Sequence, residues 1–103
     1  MRAGVVGLLP HNPAAITDEH VARLRELGFT GASVSIADPS DFREADLRHA
    51  REVLAGGGVR VAQANATYPA LVHPDDAQRA LGVRLAQQAC RAARLLDAVY
   101  LLI

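Results

Sequence analysis

The stretch VRVAQANATYPALVHPDD, residues 59–76, decides the predicted fold. It begins with Val59 and Val61 among small residues, as buried strands do, and then turns polar at Gln63 and Asn65. These four residues share one parity, so a regular strand would turn all four side chains to the same face of a sheet. An apolar beginning and a polar end are expected of a strand that starts in the core and finishes at a binding edge.

Three further segments predict strands, and three predict helices. The apolar run AGVVGLL has the continuous character of a parallel strand that is covered on both faces. The helical segments have apolar residues at helical spacing with charged residues between them. The predicted strands cover residues 3–9, 31–37, from 59 onward and 97–103, and the helices cover about 18–27, 41 to the glycines at 56–58, and 75–95.

The order of these elements is β-α-β-α-β-α-β, which predicts an α/β fold with a parallel sheet. The spacing of the strands resembles one βα unit repeated about three and a half times. Such units form either a singly wound barrel or a doubly wound sheet, and periodicity alone leaves this choice open.

Local signals mark where two of the helices begin. Thr17 is the predicted N-cap of the first helix, and Ile16 is placed to pack onto Val21 across its first turn. The second helix is predicted to begin from Asp41, because Asp41 and Glu44 have the spacing of a capping box.

The composition describes one ordinary globular domain over residues 1–103. Half of the residues are apolar, 21% are charged, and the formal net charge is zero. A neutral chain with no basic excess favours neither nucleic acid nor an anionic membrane as a partner. No apolar stretch approaches the roughly 20 residues of a membrane helix, and we expect a cytoplasmic location. The single cysteine, Cys90, lies among alanines and is predicted to be a buried structural thiol.

The fourth predicted strand coincides with the end of the sequence. An apolar parallel strand at an open edge is a state that proteins normally avoid. We therefore expect either a chain that stops within its fourth strand or association with another copy through the open edge.

Candidate site residues follow from the rule that parallel α/β folds bind ligands at the carboxyl ends of their strands. His11 has two interpretations, as a substrate contact or as part of a turn between prolines. Gln63 and Asn65 also have two, as ligand contacts or as partners of loop backbone groups. His73 is interpreted as the start of the third helix, whereas His20 and His49 are predicted to face solvent without a role. The residues delivered by the first three strands are His11, Asn12, Asp38, Gln63, Asn65, Thr67 and Tyr68.

No metal-ligating or phosphate-binding motif is visible in the sequence. There is no H-E-x-x-H and there are no paired cysteines. The glycines at 56–58 end a helix and enter a strand, whereas a phosphate loop leaves a strand and opens a helix.

Taken together, the segments GVVGLLPHNPAAITDEHVARLRELGFTGASVSIADP, VRVAQANATYPALVHPDD and RLAQQACRAARLLDAVYLLI resemble the N-terminal part of sugar phosphate isomerases and epimerases of the xylose isomerase-like TIM-barrel family. The resemblance implies that residues 1–103 form the N-terminal half of an eight-stranded barrel, about three and a half of its eight units. It also implies a divalent metal, which is manganese, magnesium or zinc, and proton transfer beside a substrate carbonyl.

The ligands and catalytic carboxylates of such enzymes lie on later strands, so the resemblance assigns neither catalytic nor metal-binding residues to this chain. The expected substrate is a small sugar or sugar phosphate, with His11, Gln63, Asn65 and Tyr68 in the pocket wall. An inert half-barrel that folds or self-associates is the alternative. The related AP endonucleases are less favoured, because Asn65 stands where they have a zinc-binding histidine and the chain has no net positive charge.

Overall fold

Four parallel strands in sequential order form the centre of the structure. The computed structural model describes residues 4–36, 38–66 and 73–102. The strands are β1 (Gly4–Val5), β2 (Gly31–Ile36), β3 (Arg60–Ala66) and β4 (Tyr100–Leu102), hydrogen-bonded in the order β1-β2-β3-β4. Helices α1 (Asp18–Glu26), α2 (Glu44–Gly56) and α3 (Asp76–Leu95) connect them, and a single 3-10 turn, Pro13–Ala15, precedes α1. The predicted α/β fold of alternating strands and helices is confirmed.

All three helices pack on one face of this sheet. A single apolar cluster joins Val34 of β2 to Leu24 of α1, Leu54 of α2 and Leu96 at the end of α3. Right-handed crossovers between strands in sequential order place every helix on the same side. The arrangement is therefore the singly wound one of a barrel, which settles the choice that periodicity leaves open.

The opposite face of the sheet, here called the inner face, carries no helix in the described parts of the chain. Residues that pair in register across parallel strands share a face, and Ser33 pairs with Gln63 while Ser35 pairs with Asn65. On β2 and β3, small and polar side chains thus replace the branched apolar residues that usually fill a barrel interior. The inner face presents Gly4, Gly31, Ser33, Ser35, Arg60, Gln63, Asn65, Tyr100 and Leu102.

A bulge interrupts the pairing of β3 with β2. Ala32 pairs with Val61, but the next residue of β2, Ser33, pairs with Gln63. Ala62 is therefore an extra residue on β3, as in a β-bulge. An inserted residue changes the parity of everything that follows it along the strand.

The bulge corrects one sequence prediction. Val59, Val61 and Ala64 all lie in the core beneath the helices. Gln63 and Asn65 have the opposite parity to Ala64 and lie on the inner face. The prediction that the two valines and the two amides share one face is wrong, because the extra residue turns the amides away from the core.

The first strand is shorter than predicted. The structure confines β1 to Gly4–Val5, and the following residues form bends. Val6 and Leu8 are 67% and 48% exposed, so this run is not covered on both faces. Gly7 has a φ of +90°, a conformation that glycine adopts without strain and that turns the chain out of the sheet.

The second helix begins three residues later than predicted. The backbone N–H of Asp41 donates to the carbonyl of Asp38 at 3.2 Å, which places Asp41 in a turn. Arg43 is the residue before the first helical position, Glu44, and it makes no side-chain capping bond. The predicted capping box does not form because the turn after β2 uses Asp41 first.

Two histidines that were predicted to have no role make structural hydrogen bonds. His20 Nδ1 accepts from the backbone N–H of Thr17 at 3.0 Å, which caps the start of α1. His49 Nε2 lies 2.9 Å from the carbonyl oxygen of Ile16. Since a carbonyl can only accept, His49 donates, and it ties α2 to the segment before α1.

The third helix spans 20 residues and agrees with its predicted bounds. Its buried face consists of small residues that include Ala89, Ala92 and Ala93. Cys90 lies one position beyond Ala89, about 100° around the helix, and is exposed. The prediction of a buried thiol is wrong for this reason. None of the helices in the described residues combines the length and apolar character needed to cross a membrane.

The glycines at the end of α2 allow a test of close packing. A Cβ at Gly57 would overlap Val21 Cγ1 of α1 and lie 3.2 Å from Val21 Cβ, whereas a Cβ at Gly56 meets nothing within 4 Å. We expect Gly57→Ala to lower the free energy of unfolding by about 1–3 kcal/mol, as overpacking does. Thermal unfolding followed by circular dichroism measures the effect.

The matched control is Gly56→Ala, which adds the same methyl group to a helical position in open space. It should be neutral or stabilising by up to about 1 kcal/mol, because alanine favours the helix. Equal unfolding temperatures for the two variants would contradict the packing of α1 against this turn.

Candidate functional site

A cavity opens at the carboxyl ends of β1 and β2, where the sequence predicted a binding edge. It has a volume of about 370 Å³ and lies between the segment before α1 and the turn before α2. We call it the mouth cavity. Pockets of this size with a few polar groups are typical of small-molecule sites. Its lining includes His11, Asn12, Ser35, Asp38, Phe42 and Asp46.

His11 and Asn12 have different roles at this cavity. Asn12 Oδ1 accepts from the backbone N–H of Ala14 at 3.0 Å and so caps the short turn before α1. His11 is exposed, lines the cavity and makes no side-chain hydrogen bond with the described residues. Asn12 caps the turn, so the imidazole of His11 is not needed there and is available to a ligand.

Asp38 is held in the turn that leaves β2. Its Oδ1 accepts from the Ser40 hydroxyl at 2.5 Å and from the Ser40 backbone N–H at 2.9 Å. The hydroxyl first, and then the backbone N–H, lower the pKa of Asp38 from its ordinary value of 3.8, since both bonds favour the ionised carboxylate. The backbone N–H of Asp41 lowers this pKa further, and the carboxylate of Asp38 is exposed at the cavity wall, where a ligand can reach it.

We expect Ser40→Ala to raise the pKa of Asp38, because it removes the largest of the hydrogen bonds that lower this pKa. Since the folded-state pKa is depressed, the stability from this carboxylate is present above pH 3.8 and is lost as the pH falls below that value. An NMR titration of the Asp38 carboxyl carbon measures the shift. Ser40→Thr, which keeps a hydroxyl, should leave the pKa of Asp38 at its wild-type value; an alanine variant with an unchanged pKa would refute the assignment.

Three side chains form a hydrogen-bonded line across the inner face, here called the polar row. Gln63 Nε2 donates to Asn65 Oδ1 at 2.5 Å, and Asn65 Nδ2 donates to Ser33 Oγ at 2.5 Å. The two amides bond to each other, and Asn65 also bonds to Ser33. In the described residues neither amide bonds to loop backbone, which was one of the two interpretations. Contact with a ligand, the other interpretation, stays a prediction. The row offers polar groups to whatever occupies the inner face.

Ser33 is a member of the site that sequence reasoning missed. It is buried, with 8% of its surface exposed, and it belongs to β2 rather than to the polar stretch at residues 59–76. The signal in the sequence is the alternation of Ser33 and Ser35 within GASVSI, which places two hydroxyls on one face of a strand. The bulge in β3 determines that the two serines share a face with the amides, and the sequence does not reveal this bulge.

The polar row and the mouth cavity are neighbours. Ser35 lines the cavity, and it pairs in register with Asn65 on the adjacent strand. Paired residues on neighbouring strands are about 5 Å apart, so a small molecule in the cavity can reach both. The structure thus places His11 and Asp38 on the cavity wall and Asn65 one strand away from it, with Gln63 two residues further back along β3.

The remaining predicted residues are not part of this group. His73 Nδ1 accepts from the backbone N–H of Asp75 at 3.0 Å, and Asp75 in turn caps α3. His73 therefore belongs to the helix start, as predicted. Thr67 and Tyr68 lie outside the described residues.

The side chains at this edge do not by themselves form a metal centre. Within residues 4–36, 38–66 and 73–102, no three or more histidine, cysteine, aspartate or glutamate side chains are grouped so that they could hold an ion. The carboxylates around the mouth cavity are spread along its wall, and Asp38 is engaged by Ser40. A metal at this edge would need ligands from elsewhere.

No protein-family model matches the sequence, and no curated protein matches it significantly. Solved structures do match. A D-psicose 3-epimerase, crystallised with D-fructose, superposes with a TM-score of 0.74 at 19% identity over 98% of this chain and 36% of its own. A protein described as a xylose isomerase, from Rhodospirillum rubrum, superposes with a TM-score of 0.81 at 14% identity over 98% of this chain and 38% of its own.

A third similar structure is the 3-keto-D-glucoside 4-epimerase of E. coli, with a TM-score of 0.65 at 15% identity over 97% of this chain and 35% of its own. The chain spans little more than a third of the length of these proteins. The superpositions establish a shared fold, but at identities this low the activity has to be argued from the site. In its described residues the chain has the fold of about a third of these proteins, a parallel four-stranded sheet with three helices on one face, as in part of a TIM barrel.

Proposed function

We propose that this chain forms part of the substrate site of a sugar or sugar-phosphate isomerase or epimerase. The observation that carries the proposal is the polar row beside the mouth cavity, at the carboxyl edge of a barrel-type sheet. The similar solved structures include sugar epimerases, which supports the class by analogy of fold.

The chemistry of Asn65 fits a sugar hydroxyl. Its Oδ1 accepts one bond from Gln63 and has a second lone pair, and its Nδ2 donates one bond to Ser33 and has a second hydrogen. One acceptor and one donor are therefore left on the same amide. A hydroxyl group is both donor and acceptor, so it can satisfy both positions at once.

The other residues bind and orient in the same proposal. The exposed carboxylate of Asp38 accepts from a second hydroxyl, and the imidazole of His11 lies at the cavity wall. A divalent metal such as manganese, magnesium or zinc, which the sequence resemblance implies, would supply polarisation of the substrate oxygens. The described residues do not fit a metal centre, so we assign the proton transfer to none of them.

Binding of D-fructose to the 103-residue chain tests the proposal, measured by calorimetry and by NMR shifts of Ser35, Gln63 and Asn65. We expect saturable binding with shifts that centre on the polar row and the mouth cavity. A parallel titration with D-fructose 6-phosphate separates sugar from sugar phosphate. Absence of binding by both compounds, or shifts confined to the helical face, would refute the proposed function.

Self-association through the sheet edges is a second candidate, favoured by exposed side chains on β4 and directly before it. Val99, which precedes β4, is 55% exposed, and Tyr100 and Leu102 of β4 are 57% and 55% exposed. In the described residues this strand has a free edge. We propose that a second copy covers this edge, because its β1 would continue the parallel order of the sheet. Light scattering should give the mass of a dimer for the wild type, and Leu102→Lys should shift the population towards monomer.

Val83→Lys is the control, because Val83 is exposed on α3, and this variant should remain a dimer. A wild-type chain that is monomeric at high concentration would exclude this candidate.

A further inference from the structure

Ser33 is buried on the inner face of the sheet, which no helix covers in the described residues. Its exposed fraction is 8%, and in the described residues it is the one buried polar side chain. Gln63 lies opposite it in register, and the amide of Asn65 reaches back across the sheet to its hydroxyl. The two amides therefore lie over Ser33 and keep a ligand from touching it.

The hydroxyl of Ser33 anchors one end of the Asn65 amide, and the NH₂ group of Gln63 fixes the other end. With Nδ2 on Ser33 and Oδ1 on Gln63, both contacts are satisfied at 2.5 Å. If the Asn65 amide alone turned over, its NH₂ group would face the NH₂ group of Gln63, and two donors would meet. Without an acceptor at position 33, only Gln63 would restrain the amide, and Gln63 is itself half-buried and attached at one point.

We infer that Ser33 is a positioning residue for the sugar site, holding Asn65 so that one acceptor and one donor face the substrate. This inference rests on the proposed function, because it assigns Asn65 the contact with the sugar. Ser33 itself touches no substrate. Its role is to remove the rotational freedom of an amide that would otherwise lose that freedom on binding.

The test compares Ser33→Ala with Ser33→Thr in the full chain. The first readout is the ¹⁵N-resolved side-chain NH₂ signal of Asn65, which reports its hydrogen bond without any ligand. We expect this signal to move towards that of a solvated amide in Ser33→Ala and to stay near the wild-type position in Ser33→Thr. The second readout is D-fructose affinity, which we expect to fall about threefold to tenfold in Ser33→Ala and to recover in Ser33→Thr.

A stability control separates positioning from general weakening of the fold. Val53→Ala removes part of a half-buried side chain that packs against the core beneath the helices, away from the polar row. It should lower the unfolding temperature while leaving the Asn65 signal and the D-fructose affinity unchanged. An unmoved Asn65 signal in Ser33→Ala, or the same loss of affinity in Val53→Ala, would overturn the inference.

The two proposals fail in different ways. If the Asn65 signal responds to Ser33→Ala as expected but no variant, and no wild-type chain, binds D-fructose or its 6-phosphate, then the proposed function is wrong and so is the positioning role for a sugar. If the wild type binds and Ser33→Ala binds equally well, the function stands and the positioning role is wrong.

Discussion

Replacing Asn65 by alanine is expected to weaken D-fructose binding by about tenfold or more while the chain remains folded. Asn65 is the central member of the polar row and bonds to both Gln63 and Ser33. The substitution removes both the free acceptor and the free donor that face the sugar. At about 0.5–1.5 kcal/mol for each hydrogen bond, losing two corresponds to about one to two powers of ten in affinity. Isothermal titration calorimetry of the wild type and variant measures this difference.

The matched control removes an amide elsewhere. Gln87 is exposed on α3, on the helical side of the sheet and away from the inner face. Gln87→Ala should bind D-fructose as the wild type does. An Asn65→Ala variant that keeps full affinity would show that the sugar does not contact the polar row.

Leu54→Ala is expected to cost the most stability, about 2–5 kcal/mol. Leu54 is fully buried on α2, and it packs in the single cluster that joins the three helices to the sheet. Truncation leaves a cavity that rigid neighbours on β2 and β3 fill only in part. A domain of this size has a total stability of roughly 5–15 kcal/mol, so the loss is a large share of it.

Urea denaturation measures the change in the free energy of unfolding, provided that the slope of this free energy against urea concentration is the same in both proteins. Leu27→Ala is the control, since Leu27 is 52% exposed at the end of α1 and should cost less than about 1 kcal/mol. If Leu54→Ala cost no more than Leu27→Ala, the position of α2 over the sheet would be incorrect.

The helices and the order of the elements were predictable because their signals are local. Apolar spacing, Thr17 before α1 and the glycines after α2 act within a few residues of the ends that they mark. The predicted bounds of α1 and α3 differ from the structure by a single residue at one end. Where two local signals competed, the prediction failed, because Asp41 was needed in the turn after β2 and could not also start α2.

The candidate site was predictable only in part. The carboxyl ends of parallel strands meet at one edge, so His11, Asp38 and Asn65 were expected near each other, and the structure places them along that edge. Ser33 was missed because its partner is 32 residues away in the sequence, on another strand. Pairings of that kind depend on register, which no local pattern in either strand reveals.

The sequence by itself determined the α/β class, the alternation of strands and helices and the edge at which polar residues gather, since these depend on periodicity and on chain direction. Only the tertiary structure decided that all helices lie on one face and that Ala62 bulges out of β3. Of these two features, the bulge at Ala62 has the larger consequence for the proposed function. Side chains alternate with a period of two along a strand, so the bulge moves Gln63 and Asn65 from the core side to the inner face, where Asn65 meets Ser33.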